Sequence, residues 1–222
     1  RRTGLAPPAL RSVIESCSAR AQSQRGHARG ADAVSPAHNR AALAAAALLI
    51  FIATVAVYLP ALKNDFVWDD VTYLIENSWI RRLDAQSLSA LFFSFRAGNW
   101  HPLTWISHAI DYRFWGAAPA GHHAASIVLH GFNAVLVFYL ALLLLLRAGR
   151  REGAVAVPEG GCIIAAVVTA LLFGLHPVHV ESVAWVAERK DLLCAFFVLL
   201  SVLAYCSYAA SASKPRYLLS FF

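Results

Sequence analysis

Residues 41–62 run from Ala41 to Leu62 without one charged side chain. About 20 apolar helical residues cross a ~30 Å hydrocarbon core, so this block alone is long enough to span a membrane. Inside lipid the backbone must satisfy its own polar groups, which leaves a helix as the form such a segment takes. A secretory leader has a shorter apolar region and a small-residue cleavage site. This block instead leads into Tyr58, Pro60 and Lys63, and is read as a retained helix. Three more apolar blocks follow: residues 122–146, residues 161–178 ending at a His-Pro break, and residues 191–210. Arg216–Phe222 looks like the opening of a fifth helix. Charged residues make up 14% of the chain, against roughly 25% in a soluble domain. The expected fold is an all-α, polytopic transmembrane helix bundle. The chain holds no methionine and is expected to be a piece of a longer protein, truncated at both ends.

The net charge of +6 does not make a nucleic-acid surface, because of where the charge lies. Arginines crowd residues 1–40, Arg147, Arg150 and Arg151 follow the second block, and Lys214 and Arg216 follow the fourth. Basic residues mark cytoplasmic flanks, and all three clusters fall on one side when the N-terminus is inside. The expected topology has the N-terminus cytoplasmic and the first loop outside, which in a bacterial inner membrane is the periplasmic side. Residues 1–40, rich in Ala, Arg, Ser and Gly, are expected to be a disordered cytoplasmic tail. Residues 41–222 form the membrane region. Cys17, Cys162, Cys194 and Cys206 show no C-x-x-C spacing, so neither a disulfide framework nor a zinc site follows from them.

The first outward loop, from Lys63 to Ala120, is long for a helix connection, and such loops tend to be functional or disordered. It is not disordered by composition, since it holds Trp68, Trp79, Trp100, Trp105 and Trp115. Leu83, Leu88, Leu91, Phe92 and Phe95 are spaced for one face of a helix. Short interfacial helices at the membrane surface are therefore expected. The second outward loop, His176 to Asp191, is short and polar.

Three constellations can carry chemistry. Asp65, Asp69 and Asp70 crowd the exit of the first span. Adjacent carboxylates raise the pKa of at least one member. Such a pair can supply a general base or hold Mg²⁺ or Mn²⁺ through hard oxygens; a solvated, capping turn is the competing reading. His176, His179 and Glu181 sit at the end of the third span, but Pro177 breaks a regular ligand spacing, so no metal is assigned there. Arg189 and Lys190 lie outside against the charge rule and suit an anionic ligand such as a lipid phosphate. His101, and His130 and Asn133 inside the second span, add polar groups at or near membrane depth.

The runs NDFVWDDVTYLIENSWI, HPLTWISHAIDYRFWGAAPAGHHAASIVLHGFNAVLVFYL and LFGLHPVHVESVAWVAERKDLL resemble the transmembrane and tetratricopeptide-repeat O-mannosyltransferases, above all their bacterial relatives. The resemblance covers about residues 41–210, and no repeats are visible in the chain. It implies the N-terminal part of a GT-C glycosyltransferase, in which a polyprenyl-phosphate sugar donor meets a protein or glycan acceptor hydroxyl at the outer face. By that likeness Asp69 is the base and Asp70 its acidic partner, at a position where the mannosyltransferases usually carry Glu. Arg189 and Lys190 would face donor phosphate, with His101, His176, His179 and Glu181 as supporting polar groups. Two rival readings stand beside it. One is a non-catalytic anchor for a C-terminal protein-binding array; the other is a transporter lined by His130, Asn133 and the outward histidines.

Overall fold

The computed structural model describes residues 36–93, 95, 98–149 and 158–211, and the regular elements among them are helical. The chain divides into two compact units, Arg1–Leu43 and Ala44–Phe222. The first contributes the opening turns of helix α1 (Pro36–Tyr58), which a 3-10 turn extends through Leu59–Lys63. Most of the tail expected over 1–40 lies outside the described residues; those from Pro36 on are already helical. The fifth helix expected at 216–222 also lies outside them.

Three segments are long and apolar enough to cross a membrane: Arg40–Lys63, Pro119–Ala148 and Val186–Ala209. They correspond to the first, second and fourth apolar blocks. The third block becomes a broken pair, Glu159–Gly174 and Pro177–Ala184, bent by 43°. We label the helices α4 (Pro119–Ala148), α5 (Glu159–Gly174), α6 (Val180–Ala184) and α7 (Arg189–Ser211). The chain is an integral membrane protein.

The spans meet through small residues. Ala134, Cys162, Ala166 and Ala170 are buried, and α4 packs along α5. A side chain on Gly131 would come within 2.9 Å of Phe51, and one on Gly174 within 2.5 Å of Thr54. Apolar tails already surround membrane helices, so close backbone approach rather than hydrophobic burial holds them together. Leu49, Ile52, Ile164, Leu172 and Val198 stay exposed and form the lipid face.

Pro177 accounts for the break after α5. It has no N–H to donate, and it pushes His176 to extended backbone at φ −68°, ψ 130°. Side chains replace part of the lost ladder. His130 Nε2 lies 3.0 Å from the Gly174 carbonyl, the Tyr58 hydroxyl donates to the His176 carbonyl at 3.4 Å, and His176 Nδ1 accepts the Val178 N–H. A break at membrane depth survives when neighbours take up the freed groups.

The long loop folds into a π-type turn Val71–Ile75, a 3-10 turn Ser78–Arg81, and helices α2 (Ala85–Phe93) and α3 (Pro102–Trp115). Asp84 starts α2 by accepting the Ser87 N–H at 2.7 Å. Pro102 starts α3, where an N–H would be unpaired anyway. Gly116, at φ +58°, ends it. Tyr73, Leu74, Ile80, Leu91, Trp105 and Ala109 form one core with Val186 and Ala187 of the second loop. Both loops therefore occupy the same end of the bundle. Each fully buried aliphatic side chain there contributes about 1.5–3 kcal/mol. Trp105 belongs to this core, whereas Trp68, Phe93, Phe95 and Phe114 remain exposed as surface anchors.

Candidate active site

The two adjacent aspartates have opposite surroundings. Asp70 is fully buried. Its Oδ2 accepts the Val67 N–H at 3.0 Å, and its Oδ1 accepts the N–H of Ala187, 117 residues away, at 2.7 Å. Burial raises the Asp70 pKa above its ordinary value; the backbone donors pull it down and the neighbouring Asp69 charge pushes it up. Asp69 projects into solvent. Between Val67 and Asp69, Trp68 adopts φ +47° with its ring exposed, edge-on to Trp185 at 5.1 Å. A left-handed tryptophan costs about 1–3 kcal/mol and persists only where surrounding contacts impose it. Asp70 supplies those contacts by pinning the turn from both sides. One acid is a clamp; the other is the free carboxylate it presents.

Arg189 and Lys190 also part company. The Arg189 guanidinium is drawn inside. It donates to Asp111 of α3, to Ser126 Oγ at 3.1 Å and to the His122 carbonyl at 2.7 Å, both on α4. It thereby ties the start of α7 to the loop helix and the second span. Burial raises the Asp111 pKa, with Arg189 opposing. Burial, then the Arg189 and His122 charges, hold the His108 imidazole well below its ordinary pKa. Lys190 turns the other way. It pairs with Glu188 at 2.5 Å and, with His101, lines a trough of about 480 Å³. Phe92, Trp100, Leu103, Leu193 and Phe197 give the trough apolar walls that follow α7 into its span.

The remaining expected residues gather elsewhere. His176 caps the turn after the third-span break. His179 stacks against Phe173 at 4.6 Å and His130 at 5.2 Å, and Glu181 is exposed on α6. Asn133 donates to the Leu192 carbonyl at 2.9 Å. His130 and Asn133 are thus engaged in bonds between helices. The sequence pointed to the stretch from His108 to Trp115 but assigned no role to His108, Asp111 or Ser126. The signal lay in His108 and Asp111 standing three apart, on one face of the helix.

No family model and no solved structure matches the chain. Curated proteins do. The Mus musculus protein O-mannosyl-transferase TMTC4 is 32% identical over 178 residues, covering 72% of the chain and 23% of the relative. The Homo sapiens TMTC4 protein is 31% identical over 188 residues, 76% and 24% of the two lengths. The Drosophila melanogaster protein O-mannosyl-transferase Tmtc1 is 31% identical over 173 residues, 74% and 18%. The chain belongs to the TMTC-like family. It spans about a quarter or less of the length of these relatives. Within this TMTC-like chain, the Asp70 clamp and the Arg189 tie bring the first loop, the second loop and the start of α7 into one unit.

Proposed function

We propose that the chain is part of a GT-C-type membrane glycosyltransferase, which moves a sugar, mannose by the relatives' names, from a polyprenyl-phosphate carrier to a hydroxyl of a protein or glycan acceptor. The observation that carries this reading is the Asp70–Ala187 bond. It fixes the exposed Asp69 carboxylate to the segment that runs, three residues on, into Lys190 and the apolar trough. The carrier's tail fits the trough, and Lys190 meets its phosphate. Asp69 takes the proton of the acceptor hydroxyl as its oxygen attacks the anomeric carbon. The bond from that carbon to the phosphate oxygen breaks, and the polyprenyl phosphate leaves with the electron pair. A positioned base contributes roughly 10²–10⁴-fold to such a step, and a cation on the leaving phosphate stabilises its developing charge. Asp70 is committed to two backbone N–H groups, Asp69 is the acid that could offer oxygens to Mg²⁺ or Mn²⁺, and no step is routed through such an ion. By the basic-flank rule the loop-bearing end faces outward.

Proteoliposomes carrying the longest gene product that contains this chain, supplied with labelled mannosyl-phosphoryl-polyprenol and a Ser/Thr peptide, test the reading. Label should pass to the peptide, and Lys190→Ala should raise KM for the donor more than it lowers kcat. Donor left unconsumed across donors and acceptors would favour the anchor reading instead.

A further inference from the structure

Behind the acid pair, three buried side chains converge on one point. His108 and Asp111 share a face of α3, and His122 comes from the first turn of α4. One ligand atom of each lies within 4.8 Å of the other two. Neither ring nitrogen of His108 has a hydrogen-bond partner among the described residues, although the ring is fully buried. Leaving a buried polar group unpaired is costly.

His122 sharpens the point. Its Nε2 faces the Gly116 carbonyl at 2.9 Å. A carbonyl has no proton to give, so Nε2 carries the hydrogen and donates. With the ring neutral, Nδ1 turns a lone pair toward Asp111 Oδ2, 3.6 Å away. Two acceptors then face one another 3.6 Å apart. A metal ion bridges them with the imidazole neutral.

The outer contacts fit as well. A metal-bound histidine ordinarily donates its other N–H to a carbonyl, and a metal-bound carboxylate is itself hydrogen-bonded. The His122–Gly116 and Arg189–Asp111 bonds are these two contacts. Arg189 lies in the field of both Asp111 and Asp70, so the two carboxylates outweigh it by one charge before any metal enters.

We propose that His108, Asp111 and His122 form a buried site for a zinc-type divalent cation, which staples the loop helix α3 to the second span. Two imidazoles and one carboxylate suit Zn²⁺, whereas Mg²⁺ and Ca²⁺ select oxygen ligands. The three ligand atoms close to about 2.0–2.2 Å from the ion, and a water or hydroxide completes four-coordination. The site does not depend on the transfer reaction.

Protein purified without chelator and dialysed against metal-free buffer should retain about one zinc per chain by elemental analysis. Stripped protein should bind Co²⁺ with the intense visible absorption of a tetrahedral site, and added Zn²⁺ should raise its unfolding midpoint. His108→Leu and His122→Leu should each abolish the retained zinc and the Co²⁺ spectrum. His176→Ala, at the third-span break, should keep both. If either ligand variant fails to fold, the wild-type titration still decides. The proposal is overturned if stripped wild-type protein takes up neither ion, which leaves a purely hydrogen-bonded cluster. It is equally overturned if folded His108→Leu protein keeps its zinc.

Discussion

Among the described residues, two clusters of hydrogen-bonded polar side chains differ in what they connect. At the third-span break, Tyr58, His130 and His176 bond to backbone groups that Pro177 left open or to the turn beside it. At the loop-bearing end, Asp70, Asp111, Ser126 and Arg189 join the first loop, the second span and the start of α7. The first group repairs a helix. The second holds separate segments in one arrangement and leaves Asp69 exposed and Lys190 half-buried at its edge. Polar residues at membrane depth do not by themselves mark a working site. What separates the two regions is whether the bonds end on a broken backbone or join segments that are distant in the sequence.

The largest stability effect should fall on the loop-bearing end. Arg189→Met leaves Asp111 buried without its partner, and should cost about 3–5 kcal/mol in thermal or denaturant unfolding. Pairing it with Asp111→Leu should recover part of that loss, because the stranded charge is gone. A single variant as stable as wild type would break the comparison.

Packing at the break comes next. Gly174→Val drives a methyl into Thr54 and Ala134 and should cost about 1–3 kcal/mol. The same unfolding measurement reads it. His130→Ala removes one bond between helices, worth about 0.6–1.7 kcal/mol, together with ring contacts to Tyr58, Phe173 and His179, and should leave sugar transfer unchanged. Transfer abolished in folded His130→Ala protein would make the break a working site too.

The smallest effect is one of pH. Burial places the folded-state pKa of Asp70 above its unfolded value, so as pH falls the folded chain takes up this proton first. Linkage makes that contribution present in acid and lost as pH rises through the folded pKa. Asp70→Asn cannot titrate. The stability of wild type relative to the variant should therefore improve as pH falls from neutral into the carboxylate range, in paired melting curves. A difference that worsens toward acid would mean the charged form is the one the fold favours.

The spans were legible because lipid leaves few options: uncharged blocks of sufficient length become helices, as residues 41–62 and 122–146 did. The break at Pro177 was legible for the same local reason. Within the site, Asp69 and Asp70 were visible as a pair, but not their division of labour. That division depends on an N–H at Ala187, 117 positions away, and no local pattern announces such a donor. Arg189 and Lys190 looked alike in the sequence. Helix α7 points one inward and one toward the trough, and the partner that draws Arg189 in lies 78 positions away. His108 and His122 likewise gained meaning only when α3 folded back onto α4.

In the proposed reaction Asp69 is the reactive member of the pair and Asp70 its clamp. Single-turnover sugar transfer by Asp69→Asn, with its unfolding midpoint measured in parallel, tests that directly. Expected is a loss of roughly 10²–10⁴-fold in the rate of transfer, with the midpoint unchanged because the side chain is exposed. Transfer at the wild-type rate by folded Asp69→Asn protein would contradict it.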